Sequence, residues 1–510
     1  MTKVKNIFQN SYFLAGLTAV LLRLSYPIFN LWILAWFAFV PLFLAVEQQR
    51  WVKTFLISFF CGALFFILTI FWLIHVTVSG MVVLSLYLGL YVVFFTLGYR
   101  FFKEKMTFGQ RIFFVPCLWV SLEFVRGHLL TGFPWALLAY SQTFNLVVLQ
   151  VADIFGAYGV SFIVMFVNVV LLEIIQSRKT KNSLTYLQIF IPLLILMGFL
   201  AYGAYRINEN PKRSCPLKVA VIQGNIPQEI KWVFSFQETI FKKYRLLTEI
   251  VHLKDPSDLI IWPETSFPAY LEFGENDKPL KQFIAQEDTP LLVGSIRLKD
   301  MRYFNSAILF SSSGEVLGFY DKLHLVPFGE YIPWRKLCPF LGHIVPIEDF
   351  TPGMNDTVFS VSGRACPSIK FGVLICFEDI FSNLAVRFVR RGADFLINIT
   401  NDAWFGDTSS PYQHMQASVF RAVENRVYVV RAANTGISCV LDDLGRPLVT
   451  VKDSKGKETF VTGYATSLVY KTGRASLYTK IGDAFAVVCI LYAVVTIFFF
   501  LLRRKFEPSI

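Results

Sequence analysis

Charge is scarce in this chain. Asp, Glu, Lys and Arg make up 16% of its 510 residues, where a soluble globular chain carries about 25%. That shortage, beside 55% hydrophobic residues and 53 phenylalanines, excludes a protein that meets water over most of its surface. Metal-binding spacing is missing too. The eight cysteines (Cys61, Cys117, Cys215, Cys338, Cys366, Cys376, Cys439 and Cys489) contain no CxxC pair, and the six histidines form no cluster with Cys or Asp at ligand spacing. No structural or catalytic metal is expected, and no cofactor. Basic residues outnumber acidic ones by 48 to 36, a net charge of +12. They form no stripe interleaved with aromatics, so nucleic acid is not an expected partner. There is no internal repeat and no low-complexity linker.

What is present comes in long apolar blocks: Tyr12–Leu24, Leu31–Val46, Thr54–Val78, Met81–Tyr99, Ile112–Phe124, Gly159–Ile175, Tyr186–Tyr202 and Ala484–Leu502. A membrane span needs roughly 20 apolar residues. The blocks predict about eight helices, the first two short and parted by a turn at Pro27 and Asn30. Arg23 and Pro27 follow the first run where a cleavable signal would carry small residues, so the run reads as an uncleaved span. Three regions result: a bundle of about seven spans over 1–206, a long domain over 207–482, and a final helix with a short basic tail over 483–510. Lys and Arg gather in alternate connections, at Lys3 and Lys5, Arg50 and Lys53, Arg100 to Arg111, Arg178 to Lys181, and Arg503 to Lys505. The positive-inside rule then places both termini in the cytoplasm and 207–482 outside it. The aromatic and apolar connection Val125–Tyr158 is expected to lie in the outer interface.

The long domain changes character. Short apolar strands are predicted at Lys218–Gln223, Leu259–Trp262, Leu291–Ser295, Ala307–Phe310, Phe371–Ile375, Phe395–Ile399, Val427–Arg431 and Ser438–Leu441. Amphipathic runs such as Phe236–Leu253 and Gln413–Asn425 lie between them. Near-continuous apolar strands alternating with helices indicate an α/β domain with buried sheets.

Three strand ends carry polar chemistry. Phe371–Ile375 ends at Cys376-Phe-Glu378-Asp379, and a helical pattern follows at Phe381–Val389. Backbone N–H groups and a helix dipole at such a turn favour a thiolate and can hold an oxyanion. Leu259–Trp262 delivers Glu264 after a proline, and Tyr320-Asp-Lys322 runs on through Glu330. Singly these are as readily a core cysteine, a solvated loop acid and a surface lysine.

In this order, WPET (Trp262–Thr265), YDK (Tyr320–Lys322) and ICFED (Ile375–Asp379) resemble the nitrilase superfamily. The resemblance covers roughly Leu217 to Val469 and implies an α-β-β-α sandwich with a Glu264–Lys322–Cys376 triad. QGNIPQEIKW (Gln223–Trp232), KLHLVPFGEYIP (Lys322–Pro333), NDAWFGD (Asn401–Asp407), GFPW (Gly132–Trp135) and YGVSF (Tyr158–Phe162) extend the likeness to a membrane-bound branch, the bacterial apolipoprotein N-acyltransferases. That branch implies transfer of a fatty acyl chain from a phospholipid, through a cysteine thioester, to the α-amino group of a lipoprotein's diacylglyceryl-cysteine. It implies a phospholipid donor, a diacylated apolipoprotein acceptor, surrounding membrane lipids, and a bacterial inner membrane with the catalytic domain on the periplasmic side. Glu264 would be the general base, Lys322 the stabilising cation and Cys376 the nucleophile. Glu330 and Glu378 would support the site, and Trp232, Phe377 and Trp404 would line the acyl entrance. Phe377 stands where the family commonly has tyrosine.

Two other readings differ in testable ways. A membrane-anchored amidase or nitrilase-type hydrolase shares the triad and the thioester step, but needs one helix rather than a bundle. A transporter or scaffold would place charges within its spans, and apart from Arg23 these are nearly absent.

Overall fold

The computed structural model describes residues 10–180, 184–267, 269–271, 277–333, 349–474 and 476–506. Lys3, Lys5, Lys181 and Cys338 lie outside them. The chain divides into two compact units, Met1–Glu209 with Ile481–Ile510, and Asn210–Lys480.

The first unit is helical. Among the described residues, six helices are long and apolar enough to cross a membrane: Trp51–Thr69, Val78–Lys105, Phe108–His128, Ala152–Lys179, Tyr186–Asn208 and Ala484–Arg503. The two leading blocks form shorter apolar segments, Ser11–Leu24 and Trp32–Val46. The second of these is broken into a 3₁₀ turn at Trp32–Trp36 and an α-helix at Val40–Val46. Side chains re-satisfy the backbone at the break. Asn168 accepts from Phe39 N–H and donates to Ala35 C=O, and Thr18 accepts from Leu42 N–H. Non-helical backbone at membrane depth persists only with such partners. In the connection after His128, Trp135 and Leu138–Gln142 are buried within the unit, while Leu129, Leu130 and Phe144 stand exposed.

The second unit is an α-β-β-α sandwich. One sheet has the order β13-β1-β2-β4-β5-β6, with β3 also paired to β4. Its strands are β1 (Ser214–Gln223), β2 (Leu259–Ile261), β3 (Tyr270–Leu271), β4 (Leu291–Lys299), β5 (Arg302–Phe310), β6 (Val316–Asp321) and β13 (Gly463–Lys471). The other sheet is β12-β11-β10-β9-β8-β7. It contains β7 (Val358–Gly363), β8 (Cys366–Ile375), β9 (Phe395–Thr400), β10 (Tyr428–Ala433), β11 (Cys439–Leu441) and β12 (Pro447–Thr450). The centre of each sheet is parallel and the outer strands are antiparallel. The sheets face each other through β1, β5 and β8.

Strand alternation fills both faces. Ala220, Ile222, Ile260 and Trp262 point outward onto helices α1 (Gln237–Lys254) and α2 (Lys278–Glu287), meeting Tyr244, Leu247, Phe283 and Ile284. Helices α3 (Ser382–Arg390) and α4 (Ser410–Asn425) cover the second sheet. A disulfide joins Cys215 at the head of β1 to Cys366 at the head of β8, with Cα atoms 4.5 Å apart. No sequence spacing had marked this pair.

Candidate active site

Glu264, Lys322 and Cys376 follow the C-terminal ends of β2, β6 and β8. Strands β2 and β6 run the same way, since two antiparallel steps separate β6 from β4. The first sheet therefore delivers its carboxylate and its ammonium at one edge, where α/β folds collect their chemistry.

The turn after β2 sits tight against β4. A Cβ on Gly294 would lie 2.2 Å from Pro263 O and 2.6 Å from Glu264 Cα, so only glycine lets the carboxylate settle there. Both Glu264 oxygens are held, Oε1 by Asn305 Nδ2 at 2.7 Å and Oε2 by the Asn401 backbone N–H at 2.8 Å. Lys322 Nζ lies 3.9 Å from Glu264 and 2.9 Å from Glu330, and is fully buried. Asn305 bridges the two acids, its amide also donating to Glu330 at 2.8 Å. Burial disfavours the Lys322 ammonium, but Glu330, Glu264 and Cys376 outweigh it and raise its pKa above the ordinary lysine value.

Cys376 is half-buried and unpaired. The expectation that a helix start would favour its thiolate is not met. A five-residue 3₁₀ turn, Cys376–Ile380, follows the strand, and α3 begins only at Ser382. Burial and then Glu264 push the thiol well up, against the opposing pull of Lys322. Both causes favour the neutral thiol over the thiolate.

Glu378 is fully buried and does not touch the Lys322 ammonium. It accepts from Tyr320 Oη at 2.8 Å, from the Leu323 and His324 N–H groups at 2.7 and 3.0 Å, and from Ile375 N–H at 2.7 Å. It thus ties the segment after Lys322 to the strand end that carries Cys376. Burial lifts its pKa to about 7 despite those four donors. Of the aromatic residues singled out, Trp232 is 47% and Trp404 51% exposed. Phe377 packs edge-on against Phe381 at 5.3 Å.

Several site residues carried no separate signal in the sequence. Asn305 lies mid-strand, and Asn401 and Lys231 were visible only as members of NDAWFGD and QEIKW. Lys231 is buried and donates to Glu264 C=O at 3.1 Å. Burial lowers its pKa to about 8, although Glu264 and Cys376 favour the charged form. Among the described residues no group of three or more His, Cys, Asp or Glu is placed to hold a metal ion.

Comparison with known proteins agrees in both units. Residues 18–170 match the apolipoprotein N-acyltransferase N-terminal domain, and residues 218–472 match carbon-nitrogen hydrolase. Apolipoprotein N-acyltransferase of Geobacter metallireducens is 39% identical over 96% of this chain and 94% of its own. The enzyme of that name from Chlorobaculum tepidum is 28% identical over 87% of this chain and 89% of its own. Among solved structures, Saccharomyces cerevisiae Nit3, a member of branch 10 of the nitrilase superfamily, aligns over 51% of this chain and 91% of its own. Its identity is 18% and its TM-score 0.37.

Proposed function

This chain belongs to the apolipoprotein N-acyltransferase family, and from that premise we propose that it N-acylates lipoproteins with a phospholipid acyl chain carried as a thioester on Cys376. The observation that carries this reading is the ion-paired Glu264–Lys322–Glu330 cluster, whose buried Glu264 and Lys322 act on the Cys376 thiol.

Glu264 takes the Cys376 proton as the sulfur attacks the phospholipid ester carbonyl. The tetrahedral oxyanion forms beside the Lys322 ammonium, which Glu330 keeps charged. Collapse breaks the C–O bond, Glu264 returns its proton to the departing alkoxide, and a lysophospholipid leaves. The α-amine of a diacylglyceryl-cysteine then attacks the thioester and gives a proton to Glu264. The C–S bond breaks to leave an amide, and the thiol is restored. Glu378 supports the site by holding the backbone beside Lys322. Trp232, Phe377 and Trp404 receive the acyl chain.

Extracting a fatty chain into water costs about 0.8 kcal/mol per CH₂, and an enzyme embedded in the bilayer avoids that step. The Cys215–Cys366 disulfide supports a periplasmic placement of the α/β unit at the inner membrane, because such bonds persist in oxidising compartments.

The test is the intact mass of the purified protein after incubation with phospholipid. The expected result is a fatty-acyl adduct that hydroxylamine removes, that Cys376→Ala abolishes, and that a diacylated lipopeptide discharges as an amide. Discharge to water alone would make the protein an amidase-like hydrolase, and no adduct on folded protein would overturn the mechanism.

A further inference from the structure

Cys376 has φ +53°, in the left-handed region where a non-glycine residue is strained and persists only if its surroundings hold it. Its carbonyl oxygen accepts two hydrogen bonds, from Asn398 Nδ2 at 3.3 Å and from His414 Nε2 at 3.2 Å. Both donors lead back to one guanidinium. Arg431 Nη1 donates to Asn398 Oδ1 at 2.6 Å, and Arg431 Nη2 donates to Asp402 Oδ2 at 3.0 Å and lies 2.8 Å from His414 Nδ1. Asp402 Oδ1 also stands 3.0 Å from His414 Nδ1. All four side chains are buried, and they come from β9, the turn after it, α4 and β10.

A carbonyl can only accept, so the ring nitrogen that faces Cys376 must carry a hydrogen. The other nitrogen faces Asp402 and Arg431, which set the angle of the ring. Burial alone would raise the Asp402 carboxyl, but Arg431 and His414 hold it at about 2, so the anchor stays ionised. Backbone has made room for it, since a Cβ on Gly436 would fall 2.0 Å from Asp402 Oδ2. A histidine buried merely to complete a core would not need its far nitrogen on the nucleophile's own carbonyl.

We propose that His414 is a positioning residue. Its Nε2–H, with Asn398 and anchored by Arg431 and Asp402, locks the Cys376 carbonyl and so the left-handed backbone that presents Sγ to Glu264 and Lys322. The proposal rests on the reading of Cys376 as nucleophile.

His414→Asn and His414→Gln separate the two ring nitrogens. The asparagine amide takes the place of Nδ1 and falls short of the carbonyl, whereas the glutamine amide reaches the place of Nε2. In the full-length purified protein, three quantities are measured: alkylation of Cys376 by iodoacetamide, acyl-enzyme formation on phospholipid vesicles, and the melting temperature. The asparagine variant is expected to lose about 100-fold in both rates at an unchanged half-saturating lipid concentration, with the glutamine variant within about 5-fold of the parent. Equal rates in the two variants, or losses that follow the melting temperature, would overturn the proposal. If the parent is alkylated at Cys376 but never acylated by phospholipid, the functional reading fails while the alkylation comparison still decides the role of His414. Should the asparagine variant not fold, Asn398→Ala takes its place with the same expected loss, and full alkylation there would overturn the proposal.

Discussion

In the helical unit Leu194 and Phe190 stand well exposed in the middle of an apolar helix, whereas in the α/β unit Arg421, Arg426 and Arg431 are among the largest fully buried side chains. The two units have settled the same physical problem with different solvents. Tyr186–Asn208 turns its apolar side chains outward because lipid accepts them, and its backbone is satisfied within the helix. The α/β unit buries its charges in pairs, Arg421 with Glu424 at 2.8 Å and Arg431 with Asp402 at 3.0 Å. Exposure therefore means something different on each side of the residue 209/210 boundary. Chemistry that needs fixed charges sits in the unit that can surround them with partners.

The sharpest way to break this comparison is to unpair a buried charge. Arg431→Leu leaves Asp402 buried without its guanidinium and should cost about 3–5 kcal/mol, seen as a loss of the cooperative unfolding transition of the α/β unit or a large drop in its midpoint. A midpoint within error of the parent would mean that water reaches the network.

Lys231 offers the next largest effect, with a sign that depends on pH. Its folded pKa of about 8 lies below the ordinary 10.5, so between those values the unfolded chain binds more protons than the folded one. Parental stability should rise with pH across that window. Below pH 8 the charged, buried Lys231 carries a penalty on the order of 3 kcal/mol. Lys231→Met removes that penalty, and its advantage over the parent should shrink as the pH climbs from 8 to 10.5. Denaturant melts at several pH values check this, and a pH-independent difference would refute it.

A matched pair of leucines then compares the two solvents directly. Leu194 is 58% exposed in the helical unit, and Leu253 is 80% exposed on the last turn of α1. Leu194→Arg should impair membrane insertion by about 3 kcal/mol, read as the fraction of chains integrated. Leu253→Lys should shift stability by less than about 0.5 kcal/mol. Similar effects at both positions would erase the distinction.

Much of this arrangement was legible in the residues. All eight predicted strands overlap strands of the sandwich, three of them overrunning an end by one residue, because their apolar runs are buried on both faces. Strands β3, β6, β7, β12 and β13 escaped, since they are very short or mix buried with exposed and half-exposed residues at sheet margins and resemble connecting segments. The eight apolar blocks were equally plain, but the break at Trp36–Val40 depends on Asn168, far along the chain. The three strand-end motifs were found as motifs. Asn305 and His414 were not, because an isolated polar residue in a strand or helix has no local pattern to mark it, and Lys231 showed only as part of a longer motif.

Composition and periodicity by themselves determined that this chain has a lipid-facing part and an α/β part, since both follow from how apolar residues are spaced and how long their runs are. The order of three motifs pointed to Glu264, Lys322 and Cys376 as the candidate site. Only the tertiary structure decided which cysteines are joined, that burial and Glu264 push the Cys376 thiol toward its neutral form, and that its carbonyl is tied through His414 and Asn398 to Arg431. Those outcomes depend on distances between residues far apart in sequence and on the loss of water around them, and neither quantity is written in local sequence.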